Sequence, residues 1–138
     1  MNDRQRVVLI TGAGGGIGRA TVRVFADCGW RVIGVDRREL EEPMPGNGLF
    51  IQTDISHEEN IRSVYEQARA FSPVLDAVVN NAAIQIAKPL LETTAEEWDA
   101  VMASNLRSTF LGAKLAHPLL VEAGGGAIVN VSSVHAVA

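Results

Sequence analysis

The chain has 138 residues, of which 47% are hydrophobic and 20% charged, and its formal net charge is −4. This length predicts one domain, residues 1–138, and the apolar content is too high for a disordered protein. Basic residues do not outnumber acidic ones, so a nucleic-acid partner is not expected. The first strongly apolar run, Val7–Ile10, is too short for a signal peptide or a membrane span. A single cysteine, Cys28, excludes an internal disulfide, so we expect a cytoplasmic protein.

Five apolar segments of strand length alternate with helical patterns along the chain. The predicted strands are Arg6–Thr11, Arg31–Asp36, Leu49–Gln52, Leu75–Asn80 and Ala127–Ser132. Strands that are apolar on both faces and separated by helices indicate a parallel sheet covered on both sides. We therefore predict an α/β fold with a doubly wound parallel sheet of about five strands. In such sheets, ligands bind beyond the carboxyl ends of the strands.

Between the strands, apolar residues recur at helical spacing. From Ile17 onward the pattern predicts a helix, with these residues at helical spacing: Ile17, Ala20, Thr21, Val24, Phe25 and Cys28. Two helix starts carry the signature of a capping box, Ser56 with Glu59 and Thr94 with Glu97.

The longest helix is predicted from about Ala95 to Glu122, and it contains a polar residue on its apolar stripe. The stripe consists of Trp98, Val101, Met102, Asn105, Leu106 and Thr109. Because Asn105 points inward with apolar residues, its amide must find hydrogen-bond partners. A structural tie between two elements is one interpretation of such an amide, and a place in a catalytic site is the other.

A glycine-rich turn, Thr11–Gly18, joins the first predicted strand to the first helix. Free backbone N–H groups and the helix dipole at such a turn favour a bound phosphate group. Gly12 permits the tight turn, Gly16 leaves room for a pyrophosphate, and Gly18 lets the helix pack close to the strand. No Lys-Ser/Thr pair follows, which excludes a Walker-type loop. We predict a dinucleotide site that includes Gly15 and Ile17, with a purely structural turn as the alternative.

Asp36 ends the second predicted strand, where an acid is expected to hydrogen-bond the adenosine ribose. A carboxylate at this position repels a 2′-phosphate, so the sequence favours NAD over NADP. Arg37 and Arg38 follow directly, and a guanidinium could accept that phosphate. NADP is therefore the less favoured cofactor.

The sequence resembles the short-chain dehydrogenase/reductase family from Val7 to Ser133. The matching residues are T-G-x-x-x-G-I-G at 11–18, Asp36, Asp54, N-N-A-A at 80–83, Asn105 and I-V-N-V-S-S at 128–133. The resemblance implies a Rossmann-like fold and an NAD-dependent oxidoreductase that moves hydride between the cofactor and a small alcohol or carbonyl substrate. The family usually has glycine where this chain has Ala83.

By this resemblance, Asp54 and Ile55 lie against the adenine, and Asn81, Ala82 and Ala83 line the cofactor. On its position alone, Asp54 is equally well interpreted as a turn acid that precedes a helix. Both interpretations place it after the third predicted strand, at the edge where the cofactor is expected.

The resemblance also implies two catalytic positions. Ser133 corresponds to the serine that hydrogen-bonds the substrate, and Asn105 to the asparagine that holds a helix irregularity and a water of the proton relay. His135 could also touch the substrate, whereas His57 and His117 are expected to be solvated. None of the histidines has metal-ligand spacing, so no metal is predicted.

The family's chemistry requires a tyrosine general acid/base and a lysine four residues later. The sequence has no Tyr-x-x-x-Lys, and its sole tyrosine, Tyr65, is predicted to lie in the core. We therefore expect an N-terminal portion, truncated after the fifth strand and inactive alone. The alternative is a non-catalytic dinucleotide-binding or interaction module. An exposed fifth strand would favour pairing with another chain, so a homo-oligomer is expected.

Overall fold

The computed structural model describes residues 4–134, which form a five-stranded parallel sheet with helices on both faces. The strands are β1 (Val7–Thr11), β2 (Arg31–Asp36), β3 (Leu49–Gln52), β4 (Ala77–Asn80) and β5 (Ala127–Asn130). The helices are α1 (Gly16–Asp27), α2 (Glu58–Phe71), α3 (Ala95–Met102) and α4 (Ser108–Glu122). A 3₁₀ helix at Leu90–Glu92 precedes α3, and a π-helical turn at Ala103–Arg107 joins α3 to α4. The predicted α/β fold and the five strands are confirmed.

The strand order β3-β2-β1-β4-β5 shows where a ligand can bind at the edge of the sheet. All four neighbouring pairs of strands are parallel. The chain builds outward from β1 to β3 and then crosses back to place β4 on the other side of β1. The loops that follow β1 and β4 therefore diverge, and a crevice opens between them at the carboxyl edge.

The sheet separates two apolar clusters, because successive side chains of a strand point to opposite faces. On β1, Val7 and Leu9 pack in the cluster that includes α2 and α4, and Val8 and Ile10 pack in the cluster that includes α1. All four side chains are at most 1% exposed. A strand buried on both faces explains the continuous apolar run that predicted it.

The helix predicted from Ile17 is confirmed as α1, but the residues at helical spacing are not the ones that it buries. Ile17 and Val24 are 65% and 61% exposed, and the buried residues are Gly18 and Val22. Gly18 faces the turn after β1, where it closely approaches the backbone. The glycine therefore determines which face of α1 meets the sheet, and apolar spacing alone did not reveal it.

Of the two predicted capping boxes, one is confirmed and one is wrong. Thr94 accepts a hydrogen bond from the Glu97 N–H, and the Glu97 carboxylate accepts one from the Thr94 N–H. Helix α2, in contrast, begins one residue later than predicted, with His57 as its N-cap and no capping side chain. Ser56 lies outside this helix because its own N–H donates to the Asp54 carboxylate.

The long helix predicted from Ala95 to Glu122 exists, but its apolar stripe is not buried as predicted. Trp98 and Leu106 are 62% and 57% exposed, whereas Ser104 and Ser108 are buried. The π-helical turn shifts the phase of the helix by one residue, so the face that precedes the turn is not continued after it.

Strand β5 forms the edge of the sheet in the part of the chain that the structure describes. It ends at Asn130, two residues earlier than predicted, and all four of its residues are exposed. Ile128 and Val129 are 39% and 50% exposed. The exposed apolar edge predicted for the fifth strand is therefore confirmed.

Candidate functional site

The turn after β1 is a close contact between two glycines. Gly12 adopts a positive φ of 70°, a conformation that side chains disfavour, and its carbonyl accepts a hydrogen bond from the Gly15 N–H. A Cβ on Gly18 would lie 1.8 Å from the Gly12 carbonyl oxygen. A Cβ on Gly16, in contrast, would have no neighbour within 4 Å. The first turn of α1 is thus held tightly against β1, and its outer side is open.

Thr11 joins this turn to the loop after β4. Its hydroxyl oxygen accepts hydrogen bonds from the N–H groups of Asn81 and Ala82, at 3.0 and 3.1 Å. The Asn81 amide donates to the Thr11 carbonyl oxygen at 3.1 Å. Asn81 therefore holds the two loops together as well as facing the crevice between them.

Asp36 is buried at the end of β2 and is fixed by two backbone donors. One carboxylate oxygen accepts the Gly14 N–H at 2.9 Å and the other accepts the Arg38 N–H at 3.0 Å. The Arg38 guanidinium lies 3.6 Å from the second oxygen and is mostly exposed. Because a carboxylate can accept about four hydrogen bonds, Asp36 keeps acceptor capacity for a ligand hydroxyl.

Asp54 shapes the turn between β3 and α2. Its carboxylate accepts the Ser56 N–H at 2.9 Å, and its carbonyl oxygen accepts a hydrogen bond from the Asn60 amide. The Ser56 backbone hydrogen bond holds the pKa of the Asp54 carboxyl below its usual range, although partial burial opposes this. Asp54 is thus a turn acid, and it also lines the cavity described below.

Asn105 lies in the π-helical turn and binds the loop after β4. Its amide oxygen accepts the Ile84 N–H at 2.8 Å, and its amide nitrogen donates to the Ile84 carbonyl oxygen at 2.9 Å. Both amide functions are satisfied by one residue of the opposite loop. The interpretation of Asn105 as a tie between two elements is therefore confirmed, and its role in catalysis stays a prediction.

These loops enclose a cavity of about 750 Å³ at the carboxyl edge of the sheet. Every residue predicted to bind the cofactor lines it: Gly12, Gly15, Gly16, Ile17, Gly18, Asp36, Arg37, Asp54, Ile55, Asn81, Ala82 and Ala83. The cavity also meets the open N-terminal turn of α1, which is a favourable place for a phosphate group. A volume of this size is typical of small-molecule and cofactor sites.

Several cavity residues were not predicted as site residues. Thr53, Ser56, Gln85, Ala100 and Ser104 line the cavity, and Thr11 holds its two main loops together. Thr11, Thr53 and Gln85 follow the rule that loops at carboxyl strand ends form the site, so position could have indicated them. Ser104 lies in the π-helical turn; the resemblance implies a helix irregularity at Asn105, but it does not indicate Ser104.

The predicted catalytic residues lie outside the residues that line the cavity. Ser133 is exposed just after β5, and Asn105 binds Ile84 in the loop that lines the cavity without lining it itself, so their catalytic roles stay predictions. His135 lies outside the described residues. Tyr65 is buried in the core as predicted. Within residues 4–134 no cluster of three metal-ligating side chains is present, and no helix is long and apolar enough to cross a membrane.

Comparison with known proteins places this architecture among Rossmann-like α/β proteins. A family model described as short chain dehydrogenase matches residues 6–138. NAD-dependent glycerol dehydrogenase of Listeria innocua is 31% identical over 137 residues, covering 96% of this chain and 54% of the relative. The solved short chain dehydrogenase of Leptospira borgpetersenii with bound NAD+ has a TM-score of 0.89 and 30% identity, covering 98% of this chain and 54% of that one. Aldohexose dehydrogenase of Thermoplasma acidophilum, solved ligand-free, has a TM-score of 0.88 and 28% identity, covering 96% and 51%.

The chain therefore belongs to the short-chain dehydrogenase/reductase family. It spans about half the length of the curated relatives it matches.

Proposed function

We propose that this chain forms the NAD-binding part of an oxidoreductase that transfers hydride between NAD and an alcohol or carbonyl substrate. The observation that carries the proposal is the cavity at the carboxyl edge of the sheet. All the residues predicted for the cofactor line this cavity. Family membership supports the reaction class. The structure of the Leptospira borgpetersenii relative with bound NAD+ supports the cofactor.

The cavity residues fit the chemical parts of a dinucleotide. Backbone N–H groups at the open first turn of α1, beside Gly16, would hold the pyrophosphate. The Asp36 carboxylate would accept the adenosine ribose hydroxyls, and the Asp54–Ile55 segment would contact the adenine. When bound, the nicotinamide would supply the hydride acceptor or donor.

We propose NAD rather than NADP because of the position of Asp36. Its carboxylate is buried and fixed by two N–H groups, so it cannot turn away from a 2′-phosphate. Arg38 already lies against this carboxylate, which reduces its availability to a phosphate. Arg37 and Arg38 both line the cavity, and they are the residues through which NADP would bind as the weaker alternative.

Calorimetric titration of the 138-residue chain with NADH and NADPH tests this proposal. We expect NADH to bind more tightly than NADPH. Asp36→Asn should weaken NADH binding by about tenfold, because a hydrogen bond to a charged acceptor is lost. The variant should also bind NADH and NADPH with more similar affinities than the original chain does.

The matched control is Asp27→Asn, which removes one carboxylate from an exposed position at the end of α1. NADH binding by this variant should stay within about twofold of the original, because Asp27 is not among the cavity residues. Absence of NADH binding by the unchanged chain would refute the proposed function. Tighter binding of NADPH would refute only the choice of cofactor.

A non-catalytic dinucleotide-binding module is the second candidate, because the sequence contains no Tyr-x-x-x-Lys. For the same reason we expect this chain to bind NADH without oxidising alcohols, since the sequence lacks the tyrosine–lysine pair that would move the substrate proton. NADH formation from a panel of alcohols would overturn that expectation. An intact mass from the native source larger than that of 138 residues would support the oxidoreductase, and an equal mass would support the module.

We also propose that the protein is a homo-oligomer, with a cytoplasmic location as expected from its single cysteine. The exposed apolar residues Trp98, Leu106 and Phe110 on α3, the π-helical turn and α4 support association, as does the edge of β5. Sedimentation velocity over a range of concentrations tests it. A single monomeric species at every concentration would contradict it.

A further inference from the structure

The π-helical turn at Ala103–Arg107 contacts both loops that form the far wall of the cavity. Asn105 binds the backbone of Ile84 in the loop after β4. Two residues later, Arg107 reaches the turn after β3, where its guanidinium donates to the Ser56 carbonyl oxygen at 2.6 Å. In the same turn, Ser104 is buried and lines the cavity. One turn of helix thus braces two separate cavity loops.

The turn after β3, residues 53–56, lines the cavity along its whole length. It is fixed at its start, where the Thr53 N–H donates to the Asp36 carbonyl oxygen at 2.9 Å. Within the turn, the Ser56 N–H donates to the Asp54 carboxylate. The side-chain amide of Asn60, in the helix that follows, donates to the Asp54 carbonyl oxygen. These contacts come from neighbouring strands or from the turn and its own helix.

Arg107 provides a further contact, from the opposite side. Among the described residues, its hydrogen bond is the one side-chain hydrogen bond that joins the π-helical turn and its two flanking helices to residues 53–56. Because the donor is charged, this bond is stronger than one between neutral groups. It fixes the end of the turn, whose start is held by β2.

We propose that Arg107 is a positioning residue for the adenosine half of the cofactor, an inference that rests on the proposed function. By holding the Ser56 carbonyl, Arg107 keeps residues 53–56 in place as one wall of the cavity. It does not touch the cofactor, because it is not among the cavity residues. Its contribution is preorganisation of the cavity wall, which would otherwise be ordered at the expense of binding.

Titration with AMP, which carries only the adenosine half of the cofactor, tests this role. Arg107→Ala should weaken AMP binding about threefold to tenfold, because the turn must then be ordered on binding. Arg107→Lys, which retains a charged donor on a long side chain, should recover most of the affinity. Hydrogen exchange should accelerate at residues 53–57 and not in β1 or β4, a local effect that general destabilisation would not produce.

Arg62→Ala is the matched control. Arg62 lies on the exposed face of α2 and pairs with Glu58, so the variant removes another exposed guanidinium near the same turn. AMP binding by this variant should stay within about twofold of the original.

Three outcomes separate the possibilities. Weakened AMP binding with local exchange confined to residues 53–57 supports the inference. Unchanged AMP binding by Arg107→Ala, or equal weakening in the Arg62 variant, overturns it while the proposed function stands. Absence of both NADH and AMP binding by the unchanged chain overturns the proposed function, and the inference with it.

Discussion

The carboxyl edge of the sheet has two parts that differ in how they are held. At β1, β2 and β4 the strands are buried and the loops after them hydrogen-bond to one another. Asp36 binds Gly14, and Thr11 binds Asn81 and Ala82. At β5 every residue is exposed, and Ser133 beyond it is exposed too.

This contrast shows which part of the site the fold completes by itself. The cavity predicted for the cofactor is enclosed by loops whose positions are fixed through backbone contacts. Ser133, for which a substrate contact is predicted, lies beside the exposed strand β5. We therefore expect changes at the cofactor loops to have large effects on folding and binding, and changes at β5 to have small ones.

The largest effect is expected for Gly18→Ala. The added methyl group would lie 1.8 Å from the Gly12 carbonyl oxygen, a distance at which the backbone must move. We expect a loss of about 3 kcal/mol in the free energy of unfolding and no measurable NADH binding, as judged by urea denaturation and calorimetry.

Gly16→Ala is its matched control, because a Cβ there meets nothing within 4 Å. Its free energy of unfolding should stay within about 1 kcal/mol of the original, while NADH binds more weakly because the methyl group occupies the open side of the turn. Equal destabilisation by the two alanines would contradict the close contact between Gly12 and Gly18.

These glycines also show what could be predicted from the sequence. The turn, its partner Asp36 and the five parallel strands follow from local patterns, since strand runs and tight turns are set by neighbouring residues. The face of α1 that meets the sheet could not be predicted in this way. It depends on the contact of Gly18 with Gly12, and a residue without a side chain leaves no mark in an apolar pattern.

The π-helical turn was predicted only in part: the resemblance implies a helix irregularity held by Asn105, and helical spacing gives none of the contacts that this turn makes with the cavity loops. Asn105 was identified as inward-facing, but its partner Ile84 and the contact between Arg107 and Ser56 join segments that are far apart in the chain. Such pairs are set by how helices pack on the sheet. The buried Ser104 was missed for the same reason, because the π-helical turn changes the phase of the helix.

The next largest effect compares two valines that are paired across the neighbouring strands β4 and β5. Val79 on β4 and Val129 on β5 are paired, and they are 5% and 50% exposed. Val79→Ala should lower the free energy of unfolding by about 2 kcal/mol, since two buried methyl groups are lost and a cavity remains. Val129→Ala should lower it by less than about 0.5 kcal/mol. Equal losses in urea denaturation would mean that β5 is covered in solution, for example by a second copy of the chain.

A smaller effect concerns the opposite edge of the sheet and acid stability. Two hydrogen bonds of 2.7 Å join the Asp76 carboxylate to the Arg4 guanidinium, and it also accepts the Val7 N–H. Partial burial acts to raise the pKa of Asp76, but the hydrogen bonds with Arg4 and Val7 outweigh it, so the pKa lies below its usual value. A lowered pKa in the folded state stabilises the protein above the unfolded-state value, about 4, and this stability is lost as the pH falls through the folded-state value.

Asp76→Asn should therefore lower the free energy of unfolding by about 1–2 kcal/mol at neutral pH and flatten its decline below about pH 4. Urea denaturation between neutral and acid pH measures both. Asp27→Asn, at an exposed site, serves as the control and should keep the acid decline of the original chain. If the free energy of unfolding falls as steeply with acid in the Asp76 variant as in the control, Asp76 is not the cause of the acid decline.

The smallest effect concerns a hydroxyl that is buried in the core near β4. The Tyr65 hydroxyl has no hydrogen-bond partner among the described residues, and burial raises its pKa. It faces Gly112 on α4, where a Cβ would lie 3.3 Å from it and 3.2 Å from the amide oxygen of Asn80. That asparagine donates to the Asn130 side chain across β4 and β5 at 2.8 Å.

Tyr65→Phe should therefore raise the free energy of unfolding by about 0.5–1 kcal/mol, because it removes a buried polar group that gains nothing in return. Gly112→Ala should give a higher free energy of unfolding relative to its parent when combined with Tyr65→Phe than alone, since one of the two close contacts is then gone. Urea denaturation of both single variants and the double variant measures this coupling. Destabilisation by Tyr65→Phe would instead show that the hydroxyl is hydrogen-bonded in solution.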